Sequence, residues 1–359
     1  MTDNLTHLRI CVERPLPGEE HVMKRISEKS NSKHHFKKLS AAFISQKMWP
    51  KDATIKISFN ASPNTIKNVD WTPMSVLEGM RNNDGSPVLL DPIEKEIRKL
   101  SPVEAVKKIV RERIQPLVGL KFVFVSPGGN VRVSFNPHGG AYSLVGTDCL
   151  KSEEQSTMNL GWLDAGTIMH EFGHVLGMIH EHQNPKGKPI PWDDSAVYQW
   201  AKQTQGWDHN TTYHNIIERY SVDQLNASKF DPQSVMLYFF PPQLTTNHKG
   251  TNNNHRISPE DAIYISKVYP GGQLSPEEFY EHVYGESLSQ AEGGGKIPWK
   301  TILFVLAGLV ALFVIYWIIR FFVKKRKSTK GGSYKNFSQW KKSHGGSPSP
   351  HSYRPLRFS

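Results

Sequence analysis

Polar and apolar residues alternate over residues 54–60, with Ile55, Ile57 and Phe59 on one face, the period of a half-buried strand. Pro102 then opens a helical run. Val106, Ile109, Val110 and Ile114 recur at helical spacing, while Lys107, Lys108, Arg111 and Glu112 turn outward. Two further strands are predicted at 120–125 and 131–135, joined by the turn-prone Pro127-Gly128-Gly129-Asn130. Extended runs follow at 141–146 and 156–160. A strand, a long helix and then several strands before the next helix suit a twisted mixed sheet backed by helices, an α/β (α+β) fold.

Beyond that region the pattern changes. Pro270-Gly271-Gly272 marks a break, and the acid-leaning stretch after it carries Glu277, Glu278, Glu281, Glu286 and Glu292 before Gly293-Gly294-Gly295. Residues 271–300 therefore read as a juxtamembrane linker. From Thr301 to Ile319 no residue is charged, and Leu, Val, Ile, Phe and Ala dominate. At ~1.5 Å per residue such a helix reaches about 28 Å, close to the hydrocarbon thickness of a bilayer. One transmembrane helix is predicted at 301–323, with Trp299, Tyr316 and Trp317 as interfacial anchors and Lys324-Lys325-Arg326-Lys327 beyond it. Residues 1–43 are polar, lack an apolar stretch of signal-peptide length, and read as a flexible leader. Residues 324–359, rich in Gly, Ser, Pro and Lys, read as a basic disordered tail. The folded domain is thus placed at 44–270, with no internal repeats.

The formal charge of +11 suggests nucleic acid until its distribution is read. The tail from Lys324 onward holds ten Lys or Arg and no acid, leaving a net +1 for everything before it. Nucleic acid is therefore not the expected partner, and anionic lipid suits the tail better. With 38% hydrophobic and 21% charged residues, a wholly disordered chain is excluded. Two cysteines, Cys11 and Cys149, exclude a disulfide scaffold and a Cys-rich zinc finger.

The chemistry is concentrated in His170-Glu171-Phe172-Gly173-His174, followed by Gly177 and His180-Glu181. Two histidines four apart on a helix lie about 40° from each other around its axis, so both rings can reach one metal ion. His180, ten residues on at about 100° each, falls on another face unless the chain turns. Gly177 supplies the turn, since glycine ends helices in the left-handed conformation at little steric cost. Three neutral imidazoles leave a zinc ion its full charge and one open position, where the pKa of water falls from 15.7 to about 7. Glu171 is expected beside that position as general base, passing the proton later to a leaving amine.

Residues 167–182 resemble the active-site motif of the metzincin zinc metalloendopeptidases, and Glu181 directly after the third histidine resembles their astacin-like branch. Ser234-Val235-Met236-Leu237-Tyr238 resembles the Met-turn of that clan. The likeness spans about residues 45–270, and its blocks look like those of bacterial and fungal astacin-like or matrixin-like peptidases. It implies a metzincin-type fold with an active-site helix and a small C-terminal subdomain. It also implies zinc on His170, His174 and His180, Glu171 as general base, and Met236 as an apolar floor. Tyr238 is then a zinc ligand that swings away or a hydroxyl that stabilises the oxyanion, the plainer alternative being a packed core tyrosine. Substrate peptide lies extended in the cleft, paired with a sheet edge.

This sequence departs from the family in several places. Asn184 stands where an arginine is usual, Leu237 replaces the Met-turn histidine, and the paired disulfides of animal astacins are absent. Glu181 often anchors a freshly cut N-terminus in that family, yet no aspartate-bearing prosegment is recognisable. Cys11 is the kind of residue that serves as an inhibitory thiolate, but its neighbours match no such switch and it reads as a free thiol. His138, His182, His209, His214, His248 and His255 read as surface or hydrogen-bonding residues, and Trp162, Trp192 and Trp207 as core or cleft-wall aromatics.

The expected function is that of a single-pass, membrane-anchored zinc metalloendopeptidase acting on peptide or protein substrates. The alternative is a catalytically silent, membrane-tethered binding protein that keeps the fold. The positive-inside rule puts the tail in the cytosol and the peptidase outside, and that arrangement is favoured here over the reverse, which the missing signal would suit; a viral or internal membrane is one setting for such a chain.

Overall fold

The computed structural model describes residues 10–11, 43–186, 190–220, 225–226, 229–288, 313 and 316. The chain divides into two units, Met1–Gly294 and Gly295–Ser359. In the second, only Phe313 and Tyr316 are described, both helical and exposed. The predicted membrane span and basic tail otherwise lie outside the described residues. Among the described residues, no helix is long and apolar enough to cross a membrane.

The first unit is built on the expected mixed sheet. Its strands are β1 (Thr54–Phe59), β2 (Lys121–Phe124), β3 (Val131–Ser134), β4 (Ala141–Ser143) and β5 (Met158–Leu160). They lie in the order β2-β1-β3-β5-β4. All neighbours run parallel except β4, an antiparallel edge strand on β5. β1 is flanked on both sides, with Ile57 opposite Phe124 on one side and Val131 on the other. Its Ile55 and Ile57 are fully buried and Lys56 faces solvent, as the alternation requires.

Helix α1 (Pro102–Ile109) starts at Ser101, whose hydroxyl accepts from Glu104 N, and continues through a π-helical turn, Val110–Ile114. Its Ala105, Val106, Ile109, Val110 and Ile114 join the main core with Ile55, Ile57, Val131 and Val133. Helix α2 (Ala165–Val175) crosses the same core and is buried along nearly its whole length. A smaller apolar cluster gathers Val197, Trp200 and Ala201 of α3 (Asp194–Thr204) with Ile216, Tyr238, Phe240 and Leu244.

Two boundaries differ from the sequence reading. The stretch assigned to a linker contains α5 (Pro276–Tyr284), which packs beside α4 (Pro259–Val268) and buries Phe279 and Tyr280 in the main core. Its start is a capping box formed by Ser275 and Glu278, Glu277 and Glu281 are exposed on the helix, and Glu286 just past it pairs with Arg256; Glu292 lies outside the described residues. Arg113 ties the body together here, pairing with buried Asp91 at 2.9 Å, which also accepts from the Tyr284 hydroxyl at 3.0 Å. The second difference lies in the leader: Ile10 and Cys11 are buried rather than loose.

Candidate metal centre

Helix α2 is launched by Asp164, whose carboxylate accepts from Thr167 N at 2.8 Å and from the Thr72 hydroxyl at 2.9 Å. Glu94 accepts from Ala165 N at 2.6 Å, closing another of the free amides at the helix start. One turn of this fixed helix separates His170 from His174. The helix then ends as the sequence predicts. Gly177 takes φ of +96°, its amide donates to the His174 carbonyl at 2.8 Å, and Met178 N donates to the Gly173 carbonyl at 3.0 Å. The reversal carries His180 back towards the helix, with its Nε2 3.1 Å from His174 Nε2.

His170, His174 and His180 each offer a ring nitrogen within 4.8 Å of the others, all buried. His170 Nδ1 contacts the Val235 carbonyl at 2.8 Å and His174 Nδ1 the Met178 carbonyl at 2.9 Å. Those contacts place the proton on Nδ1 and turn the lone pair of Nε2 towards the trio. Burial lowers His170 to about 4 and His174 to about 3, the latter helped by His170, and drives His180 well below its ordinary range. All three rings are therefore neutral near neutral pH, the form a metal ligand needs. His170 Nε2 is buried with no hydrogen-bond partner among the described residues, an orphan that a bound cation would satisfy. The donor set fits zinc.

Glu171, fully buried beside the trio, has its carboxyl pushed up to about 8 by burial. Met236 packs against α2: a Cβ on Gly173 would meet its Sδ at 2.3 Å, so the thioether fills the space left by that glycine.

The carriage of the Met-turn was not read from sequence. Asp261 of α4 accepts from the Ser234 hydroxyl and from Val235 N, both at 2.8 Å, and so holds the carbonyl that orients His170. The signal was present in Ser258-Pro259-Glu260-Asp261, which forms a capping box. Glu181 is buried and accepts from Asn184 Nδ2 at 3.0 Å and Asp231 N at 2.8 Å. Asn184 in the usual arginine position thus finds a partner in Glu181. His182 is buried too, its Nε2 3.0 Å from the Asn215 carbonyl, which favours the hydrogen-bonding reading over the surface one. Gly166 packs against the ring of His255. Trp162 and Trp192 flank the smaller apolar cluster as wall residues, and Trp207 packs there as well.

Tyr238 reaches the centre from below. Its hydroxyl contacts His180 Nε2 and donates to the Cys11 carbonyl at 2.6 Å. The Cys11 thiol is itself at the centre, within 4.8 Å of ligand atoms of His170 and Glu171. Burial, and then the Glu171 charge, hold that thiol well above its ordinary range.

Comparison with known proteins bears on this geometry. The model of the Astacin family of peptidases matches residues 103–257. The zinc metalloproteinase nas-19 of Caenorhabditis elegans is 28% identical over 104 residues, covering 29% of this chain and 24% of that protein. The astacin-like metalloprotease toxin 5 of Loxosceles gaucho is 29% identical over 97 residues, covering 27% and 47%. The chain thus spans less than half the length of these relatives, both from animals, and they lend no support to a bacterial or fungal placement. The solved structure of myroilysin is 29% identical, with a TM-score of 0.48, over 64% of this chain and 98% of that one. The matched region is thus similar to the Astacin family of peptidases, and the relatives it matches are named as metalloproteases, nas-19 as a zinc metalloproteinase.

Proposed function

We propose that this chain, which carries an astacin-family zinc-metallopeptidase domain at residues 103–257, is a membrane-anchored metalloendopeptidase. The observation that supports it most is the convergence of three buried imidazoles with Glu171 adjoining them. His170, His174 and His180 would hold zinc, which supplies a Lewis acid that acidifies water and polarises a scissile carbonyl.

The remaining work falls to side chains. Glu171, adjoining the trio, takes a proton from the attacking water and returns it to the leaving amine. Tyr238 donates to the oxygen on which charge develops. The Cys11 carbonyl shows that a peptide oxygen fits in front of that hydroxyl at 2.6 Å. Substrate would run extended along β4, the antiparallel edge strand of the sheet. Residues 301–323 would anchor the enzyme in the bilayer, with the basic tail on anionic lipid.

A protein comprising residues 43–294 should cleave a peptide library in a chelator-sensitive way. Glu171→Gln should retain one zinc per chain and lose turnover by about 10²–10⁴-fold. Undiminished cleavage by a zinc-loaded Glu171→Gln protein would remove Glu171 from the mechanism. Zinc binding without any chelator-sensitive cleavage would favour the silent, tethered binding protein instead.

A further inference from the structure

The sheet ends in two edge strands, β4 on one side and β2 on the other. β2 pairs with β1, and Lys121 N and Val125 N donate to the Ala53 and Ile57 carbonyls at 2.9 and 2.8 Å. Backbone groups of successive residues point to opposite sides of a strand, so those of Phe122 and Phe124 face away from β1. The first half of this outer edge is already closed. The Gln115 side chain donates to the Leu120 carbonyl at 2.6 Å and accepts from Phe122 N at 3.0 Å, as one peptide unit of a neighbouring strand would. Beyond it, the Phe122 carbonyl and Phe124 N have no hydrogen-bond partner among the described residues. A cavity of about 350 Å³ lies beside them, lined by Val110, Arg111, Gln115, Phe122, Val123 and Phe124. Val123 is 43% exposed. Arg111 stands over the Phe124 ring at 5.1 Å, and no acid among the described residues pairs with it. Nearby acids are engaged elsewhere, Glu104 by Lys107, and Glu96 and Glu112 by Lys108.

We propose that the outer edge of β2 binds an extended peptide segment bearing an acidic side chain, whose backbone pairs with Phe122 and Phe124 and whose carboxylate meets Arg111. The inference is independent of the peptidase reading, because the site lies at the opposite end of the strand order from β4. Three features select this occupant. The open backbone groups call for an extended chain, which returns an N–H to the Phe122 carbonyl and a carbonyl to Phe124 N. The cavity, at the lower end of the ~300–1,000 Å³ range of ligand pockets, suits an aliphatic side chain against Val110 and Val123. The charge is one-sided, since Arg111 and the exposed Lys121 both stand without an acidic partner among the described residues. The same charges disfavour a second copy of the chain, because joining two β2 edges would gather two sets of these cations at one seam.

The test uses the full chain in neutral detergent, carrying Glu171→Gln so that a peptide probe is not consumed. The probe is a fluorescein-labelled Thr-Val-Asp-Val-Glu-Val-Thr peptide. Anisotropy should show saturable binding below about 1 mM, and hydrogen exchange should slow at residues 121–125 in the complex. Arg111→Glu, at an exposed position, should weaken binding about threefold or more and should prefer a probe with lysines in place of both acids. Arg111→Gln serves if the glutamate variant does not fold, and should weaken the acidic probe alone. N-methylation of alternate probe residues should abolish binding in one of the two alternations, since only one edge of the probe pairs with β2. Undiminished binding of the acidic probe by both Arg111 variants, or protection at 141–143 in place of 121–125, overturns the inference. No binding at about 1 mM overturns it too, as does self-association of the chain through residues 121–125 in the absence of probe.

Discussion

Two glycines of the α2 region do opposite jobs, and substitution separates them. Gly177 needs only its backbone: φ is +96°, and an added Cβ would have no neighbour nearer than 3.7 Å. Gly177→Ala should therefore cost about 1–2 kcal/mol of stability, the penalty for a left-handed alanine. Gly173 sits in ordinary helix, but its Cβ would lie 2.3 Å from Met236 Sδ. Gly173→Ala should push Met236 aside, cost about 1–3 kcal/mol and weaken zinc binding. Denaturant melts and zinc titrations of the two variants check this; equal loss of zinc affinity in both would show that the turn, not the thioether, shapes the site. A pH effect belongs at this scale as well. Burial lowers His182 to about 4 from its ordinary 6.5. Between those values the unfolded chain binds the proton and the folded one does not, so this ring's contribution is complete above about 6.5 and is lost as pH falls towards 4. Glu171 and Asp261 are raised and act with the opposite sign, so the whole-protein curve mixes both. Subtracting the curve for His182→Gln cancels them. The stability gap between wild type and that variant should narrow as pH falls below about 6.5, and a gap constant with pH would contradict the buried neutral ring.

Between elements, the most exposed dependence is the Arg113–Asp91 pair, which joins the π-helical end of α1 to α5 through the Tyr284 hydroxyl. Asp91 is almost fully buried, so Arg113→Ala would strand its charge and should cost about 3–5 kcal/mol. A melt showing less than about 1 kcal/mol would mean that water reaches Asp91. The elements themselves were largely legible, for reasons that particular residues make plain. β1 announces itself because Ile55 and Ile57 alternate with exposed Lys56, and α2 because two histidines at helical spacing precede a helix-ending glycine. What escaped was tertiary. Helix α5 was hidden by its own acids, although the Ser275–Glu278 cap and the apolar Phe279 and Tyr280 stood in the sequence. Asp261 holds the Met-turn from another element, and no local pattern couples residue 261 to residue 235. Cys11 was the hardest case. Its neighbours match no motif, and only the folded chain brings its sulfur to His170.

At the scale of the whole molecule, two kinds of attachment to a membrane make different demands. A hydrophobic span is indifferent to salt, because its stabilisation comes from apolar area removed from water. A basic tail held on anionic lipid is not, since the screening length falls from about 8 Å at physiological ionic strength to about 3 Å at 1 M. The proposed anchor would combine both, with nineteen uncharged residues from Thr301 to Ile319 and then ten Lys or Arg with no acid. The described positions within the stretch, Phe313 and Tyr316, are both helical and exposed. The full chain should therefore stay with membranes through washes in high salt and in alkaline carbonate, and a chain ending at Gly294 should be released. Removing residues 328–359 should weaken adsorption to preformed anionic vesicles without freeing protein already inserted. Release of the full chain by salt alone would assign the attachment to the tail and leave 301–323 without a role in the bilayer.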